Sequence, residues 1–208
     1  MKKNTLLSIA IVICKFIRVL YVLTFLIFTG FFVHLQISPS YYDQVDFNSE
    51  LNYKGFYLRG YKKANDGIFT INRYEKSKYT IGDNKVLEDS EVYTLSKLNT
   101  FSLYCNFIKF SAVLFLSFLC FGEFQKVIES VKELKTFQET NVLSFRKIGK
   151  YVLIIFIITC YSALTFQNGR ISGFYFTPNL LILSLLAYIM AEIFKEGNNL
   201  EEENKLTV

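Results

Sequence analysis

Apolar residues along this chain come in four long runs, and the segments between them differ in length and charge. Val19–Ile37 is uncharged over 19 residues, and Leu103–Phe121 is interrupted once, by Lys109. Tyr151–Phe166 and Pro178–Phe194 follow, the last containing Glu192. A helix needs about 20 apolar residues to cross roughly 30 Å of hydrocarbon, so each run predicts a spanning helix, the last two short ones. Ile148 and Gly149 can extend the third, and Pro178 suits the first helical turn, where its missing N–H costs nothing. Residues 5–18 add about four turns before the first core. A continuous helix from Leu6 to Ile37 would be about 48 Å long and must tilt or lie partly at the interface.

Between the first two runs lie residues 38–102, where alternation replaces helical spacing. Tyr57–Tyr61 and Ile68–Asn72 are aromatic and β-branched, and they flank the turn signal Asn65-Asp66-Gly67. Lys78–Ile81 and Lys85-Val86 flank a second, Gly82-Asp83-Asn84, and Glu91–Leu95 is a further candidate strand. Three or four antiparallel strands are expected, too small a sheet to stand alone. In residues 122–150 helical spacing returns: Phe124, Val127, Ile128, Val131 and Leu134 predict that the second helix continues past its apolar run. Thr140 or Asn141 is the expected N-cap of the next helix, and Gly197 the expected stop of the fourth.

Charge orients this pattern. Residues 38–102 hold as many acids as bases, whereas 122–150 and the N-terminus are basic through Lys2, Lys3, Lys15, Arg18, Lys126, Lys132, Lys135, Arg146, Lys147 and Lys150. The positive-inside rule then places both termini and 122–150 in the cytoplasm and 38–102 outside. The start of the chain imitates a signal peptide, but no A-x-A site follows and Ile13 before Cys14 does not suit lipoprotein processing. An uncleaved anchor is expected. The resulting fold class is an all-α membrane protein. It is a four-transmembrane-helix bundle with a small extracytoplasmic antiparallel β insertion between helices 1 and 2. The chain reads as one integral domain, 1–208, with the outer loop 38–102, the cytoplasmic helix and connector 122–150 and an acidic tail 196–208.

Composition agrees: at 51% hydrophobic and 20% charged the chain is too apolar for an ordinary soluble domain. The net charge of +5 lies along the membrane face, where it meets anionic lipid, so direct nucleic-acid binding is not needed to explain it. Cys14, Cys105, Cys120 and Cys160 lie in or beside apolar runs without CxxC spacing. His34 is the one histidine and cannot form a metal site or a triad alone; interfacial packing is its simplest role. No P-loop, GxGxxG, HExxH or GxSxG pattern occurs, so no catalytic residue, metal or cofactor is expected.

Two ionisable residues fall inside the runs. Lys109 lies about 9 Å from Leu103 by helical rise, shallow enough for its stem to snorkel outward. Glu192 either contacts Arg18 or Lys15, locking helix 4 to helix 1, or sits at the water boundary beside Lys195. In the tail, Glu201-Glu202-Glu203 would stand beside an anionic leaflet, and Arg146, Lys147 and Lys150 are the candidate compensating bases. A solvated acidic end is the other reading.

Two stretches carry a resemblance. Phe137-Gln-Glu-Thr-Asn141-Val142-Leu-Ser-Phe145-Arg146-Lys147-Ile148-Gly149 precedes the third run. Ala191-Glu192-Ile193-Phe194-Lys195-Glu196-Gly197, then Leu200-Glu201-Glu202-Glu203-Asn204-Lys205-Leu206-Thr207-Val208, closes the chain. Together they resemble domain of unknown function 2975, small bacterial membrane proteins with four spans; Phe145 stands where that family has Leu. The resemblance implies a bacterial cytoplasmic membrane and the topology above, but no reaction. Its genes often neighbour one for a small helix-turn-helix regulator. The expectation is a non-enzymatic sensory or regulatory protein coupling the outer loop, through an extracellular peptide or small ligand, to such a cytosolic partner. An immunity or transport-accessory role is the alternative.

Overall fold

The structure, a computed structural model, describes residues 5–43, 56–63, 70–74, 95–167 and 169–206, with the backbone alone for 56–63, 70–74, 169–171 and 205–206. The described residues are mostly helical: α1 (Thr5–Ile37), α2 (Thr100–Lys132), α3 (Glu139–Cys160) and α4 (Pro178–Leu206). Strands β1 (Phe56–Lys63) and β2 (Thr70–Tyr74) stand between α1 and α2. Strands β3 (Tyr161–Phe166) and β4 (Gly169–Phe176) stand between α3 and α4. Among the described residues, α1 and α2 are long and apolar enough to cross a membrane. Each has 33 residues, about 50 Å of helix, so the expected continuations before the first apolar run and beyond the second are present.

The backbone falls into two compact units. One comprises residues 26–111 and 157–178 and is built around the sheet. Its strand order is β2-β1-β4-β3, all neighbours antiparallel. The hairpin expected around Asn65-Asp66-Gly67 forms: Tyr57 pairs with Tyr74 and Tyr61 with Thr70. The turn lies outside the described residues, as do the expected strands at 78–86 and 91–94; Leu95 opens a short 3-10 turn, Leu95–Lys97.

Two expectations fail here. The third apolar run is helical only to Cys160, where strand begins. Residues 161–176 instead form a hairpin that joins the sheet, β4 pairing with β1 from Phe56↔Phe176 to Lys63↔Gly169. The β structure is thus not an insertion between helices 1 and 2 alone. The aromatic residues of 174–176 suit a strand, and periodicity cannot separate a short apolar strand from a buried helix segment.

The far edge of β3 is occupied by residues 97–109. Leu98 bridges Phe166, with Asn99 N–H donating to Thr165 O (2.8 Å) and Gln167 N–H to Lys97 O (3.0 Å). α2 then continues the cover with side chains. Thr165 N–H donates to Ser102 Oγ (3.0 Å), Asn106 Nδ2 donates to Ala163 O (3.1 Å) and Lys109 Nζ donates to Tyr161 O. Lys109 is therefore bonded to backbone rather than simply extended outward. Aromatic rings pack the α1 and α2 segments of this unit, with Phe32 stacked on Phe107 at 4.0 Å and Phe28 tilted on Phe110 at 4.2 Å. His34 Nδ1 lies 2.8 Å from Tyr42 Oη and its ring meets Tyr41 and Tyr42 edge-on, a packing role.

The other unit comprises residues 1–25, 112–156 and 179–208. Its core is Val127, Val142, Phe145, Ile148, Val152, Ala187, Ala191 and Phe194, from α2, α3 and α4. Ile11, Cys14 and Ile128 form a second cluster. α3 and α4 approach closely at small residues. Ser184 Oγ donates to Gly149 O (2.9 Å), and a Cβ on Gly149 would stand 2.9 Å from the Tyr188 ring.

Candidate functional site

The second unit gathers the polar chemistry of the family-like segments, beginning at the α2–α3 turn. α2 ends at Lys132, and Leu134 takes a left-handed backbone (φ 63°) on the surface, so it leaves the apolar stripe that its spacing predicts. α3 starts at Glu139, its first bonds running from Asn141 and Val142 N–H to Gln138 O. Neither Thr140 nor Asn141 is the N-cap. Asn141, 2% exposed, instead donates through Nδ2 to Ser130 Oγ (2.9 Å), Lys135 O (3.1 Å) and Thr136 O (2.7 Å). It satisfies the inner carbonyls of the turn.

One helical turn further along α3, Ser144 Oγ donates to Glu123 Oε2 (2.8 Å) on α2. Glu123 is a buried carboxylate that Lys126 Nζ reaches at 2.7 Å and Lys147 Nζ at 3.9 Å. Burial pushes this carboxyl up, but the hydrogen bonds from Lys126 and Ser144 and the charges of Lys126 and Lys147 outweigh it. The net effect holds it below its ordinary value of 4.5. Beside it Gln125, also buried, accepts from Arg18 Nη1 (3.3 Å) and donates to Glu129 Oε1 (2.8 Å). Arg18 also lies over the Phe118 ring, 4.4 Å from its centroid, so α1 is fastened to α2 by a cation–π contact and an amide.

Glu192 on α4 pairs with Arg146 on α3 (2.9 Å) and stands 3.8 Å from Lys195. Its carboxylate thus ties helix 4 to helix 3, while Arg18 turns to Gln125 and Phe118. Lys147, the neighbour of Arg146, faces Glu123. Lys150 is exposed at the next turn of α3. α4 does not stop at Gly197 but runs on to Leu206, so Glu201, Glu202 and Glu203 are exposed on a helix rather than on a free tail. Glu202 accepts from Asn198 (3.0 Å). By helical rise Glu201 lies about 14 Å along α4 from Glu192. Gly197 is a packing residue: a Cβ there would overlap the Phe137 ring, which also leans on Phe194. Beside this contact an open, almost wholly apolar groove of about 680 Å³ is lined by Phe137, Tyr188, Ile189, Ile193 and Leu200, with Glu192 and Glu196 at its rim. Among the described residues no group of His, Cys, Asp or Glu could hold a metal ion.

The family described as Protein of unknown function (DUF2975) matches residues 91–208, more than half of the chain. The chain belongs to this family. No curated protein and no solved structure matches it. The DUF2975 match covers α2 to α4 with β3 and β4, and so contains Glu123, Asn141, Ser144, Arg146, Gly149, Glu192 and Gly197; α1 and β1–β2 precede it. Charge in the sequence marks Arg146, Lys147 and Glu192, whereas Glu123 and Ser144 come together only in the fold. The available signal was Glu123 lying just beyond an apolar run, with Ser144 three residues from Asn141 on a face otherwise apolar.

Proposed function

We propose that this DUF2975 protein is a multi-pass protein of the bacterial cytoplasmic membrane, with four spanning helices and both termini inside. It acts without catalysis, as a sensory or regulatory protein. The observation that carries the reading is the pairing of β1 with β4. It brings the α1–α2 connection and the α3–α4 connection into one sheet, as expected if both lie on the same side of a bilayer. The charge asymmetry puts that side outside, with the basic α2–α3 connection on the cytoplasmic face. In this reading the outer sheet, with the recess of about 360 Å³ lined by Leu35, Gln36, Ser96, Thr100 and Gln167, receives a small ligand or peptide. The α2–α3 turn and the acidic end of α4 present a surface to a cytosolic partner, a small helix-turn-helix regulator being the candidate. Glu201, Glu202 and Glu203 belong to that surface, while Arg146 and Lys147 are engaged by Glu192 and Glu123.

The apolar groove along α4 favours a second reading, in which the protein is an immunity or transport-accessory subunit that binds another membrane protein. One set of strains separates the two. Single cysteines at Asn65, Ser172 and Lys135 are introduced into a cysteine-free chain, and the chain is also deleted. In intact cells an impermeant thiol reagent should label Asn65→Cys and Ser172→Cys but not Lys135→Cys. Labelling in the opposite pattern refutes the topology. A confined set of transcripts should change on deletion. Unchanged transcripts with altered resistance to a membrane-active peptide would decide for the second reading.

A further inference from the structure

A β-strand exposes backbone groups toward a given neighbour at every second residue. On β3 the residues facing away from β4 are Tyr161, Ala163, Thr165 and, just past the strand, Gln167. Their partners come from one continuous stretch: Lys97 O, Asn99 N, Ser102 Oγ, Asn106 Nδ2 and Lys109 Nζ. The first two are backbone and the last three side chains. Ser102, Asn106 and Lys109 lie on one face of α2, at spacings of four and three residues. Two strand residues rise about 6.6 Å, and three or four helical residues rise about 4.5–6 Å. A helix can therefore follow a strand edge in step for this short distance. Asn106 Nδ2 also donates to Ser102 O (2.8 Å), which fixes its orientation. Lys109 meets the chain where α3 ends, so its positive charge also lies against the negative end of that helix.

We infer that Ser102, Asn106 and Lys109 form a clasp, a side-chain substitute for a fifth strand, which holds the β3–β4 hairpin on α2. The clasp keeps the β3 edge from being an open acceptor for a further strand. It also gives hydrogen-bond partners to a strand edge that begins abruptly where α3 ends inside an apolar run. The residue types follow from this geometry. The edge groups met by α2 are one N–H and two carbonyls, and the stripe supplies one hydroxyl oxygen and two donors that reach progressively further. Release of the hairpin from α2 is then controlled by three side chains on a single helix face. This inference is independent of the sensory reading above.

Hydrogen exchange of the full chain in lipid nanodiscs, followed by mass spectrometry of peptides covering 161–167 and 142–152, tests it. Lys109→Met should speed exchange of the 161–167 peptide about tenfold, which corresponds to about 1.4 kcal/mol of local opening. Ser102→Ala should do so about threefold, through the Thr165 amide that it frees. Lys109→Arg, which keeps a long donor, should stay within twofold of the natural chain. Peptide 142–152 should not change in any variant. If Lys109→Met yields no folded protein, Ser102→Ala and Lys109→Arg decide by the same readout. Unchanged exchange at 161–167 in folded Lys109→Met or in Ser102→Ala overturns the clasp. Equal acceleration of both peptides also overturns it, because the stripe would then stabilise the whole chain rather than hold the hairpin.

Discussion

Replacing Asn141 by Ala should loosen the α2–α3 turn without unfolding the helices that it joins. The two N–H bonds of Nδ2 are distributed over Ser130 Oγ, Lys135 O and Thr136 O, and the side chain is 2% exposed. Each such bond contributes about 1 kcal/mol net, so the loss of both N–H groups should remove about 2 kcal/mol of local stability. Ser130 Oγ also donates to Lys135 O (2.6 Å), so that carbonyl keeps one partner and the loss should not greatly exceed this figure. Trypsin cleavage at Lys132 and Lys135 in nanodiscs reports the open population when reclosing is faster than cutting. A change of 2 kcal/mol predicts roughly 30-fold faster cleavage. Asn141→Asp adds a signed test. A carboxylate facing two carbonyls is disfavoured, so its folded-state pKa lies above the unfolded value of about 3.9. The stability of this variant is then greatest below that value and is lost as pH rises through the folded one. Its thermal midpoint should fall between about pH 4 and pH 8 with a slope that the natural chain lacks. Cleavage within twofold of the natural chain for Asn141→Ala, or no added pH slope for Asn141→Asp, would refute the assignment of Asn141 as the anchor of the turn.

Three further outcomes are expected. Glu123→Gln should cost about 1.5–3 kcal/mol at pH 7, since its hydrogen bonds are charge-assisted. With the folded pKa of Glu123 held below 4.5, this difference should be complete above the ordinary carboxyl value and disappear as pH falls through the lower folded one; a pH-independent difference in thermal midpoint contradicts it. Gly149→Leu should separate α3 from α4 and lower the thermal midpoint strongly, whereas Gly149→Ala should cost about 1–3 kcal/mol, because a Cβ already meets Tyr188; an unchanged midpoint for Leu excludes the close packing. Changing Glu201, Glu202 and Glu203 together to Lys should impair function while single changes do not, since an exposed pair contributes only about 0.2–1 kcal/mol. Reversing Arg146, Lys147 and Lys150 to Glu in the same chain should not restore the loss, because Arg146 and Lys147 already face Glu192 and Glu123; recovery would show instead that the acidic end reaches these bases.

The helices and one hairpin were legible in the sequence because their signals are local. Uninterrupted apolar runs, periodicity in 124–131, Pro178 at a first turn and a turn signal between two β-branched segments each act within a few residues. The family was legible for the same reason, in the stretches at 137–149 and 191–208. What tertiary structure decided were choices that two distant segments make together. Tyr161–Phe166 is as apolar as a helix end, and it becomes strand because Gly169–Phe176 pairs one side of it while Lys97–Lys109, some sixty residues earlier, satisfies the other. Gly197, readable as a helix stop, is instead a place for the Phe137 ring, and α4 continues past it. Asn141, readable as a cap, turns toward carbonyls that only the fold of the turn brings to it. Glu192 found Arg146 on α3 because helix rotation sets which charges face each other, and no one-dimensional count of charge contains that rotation.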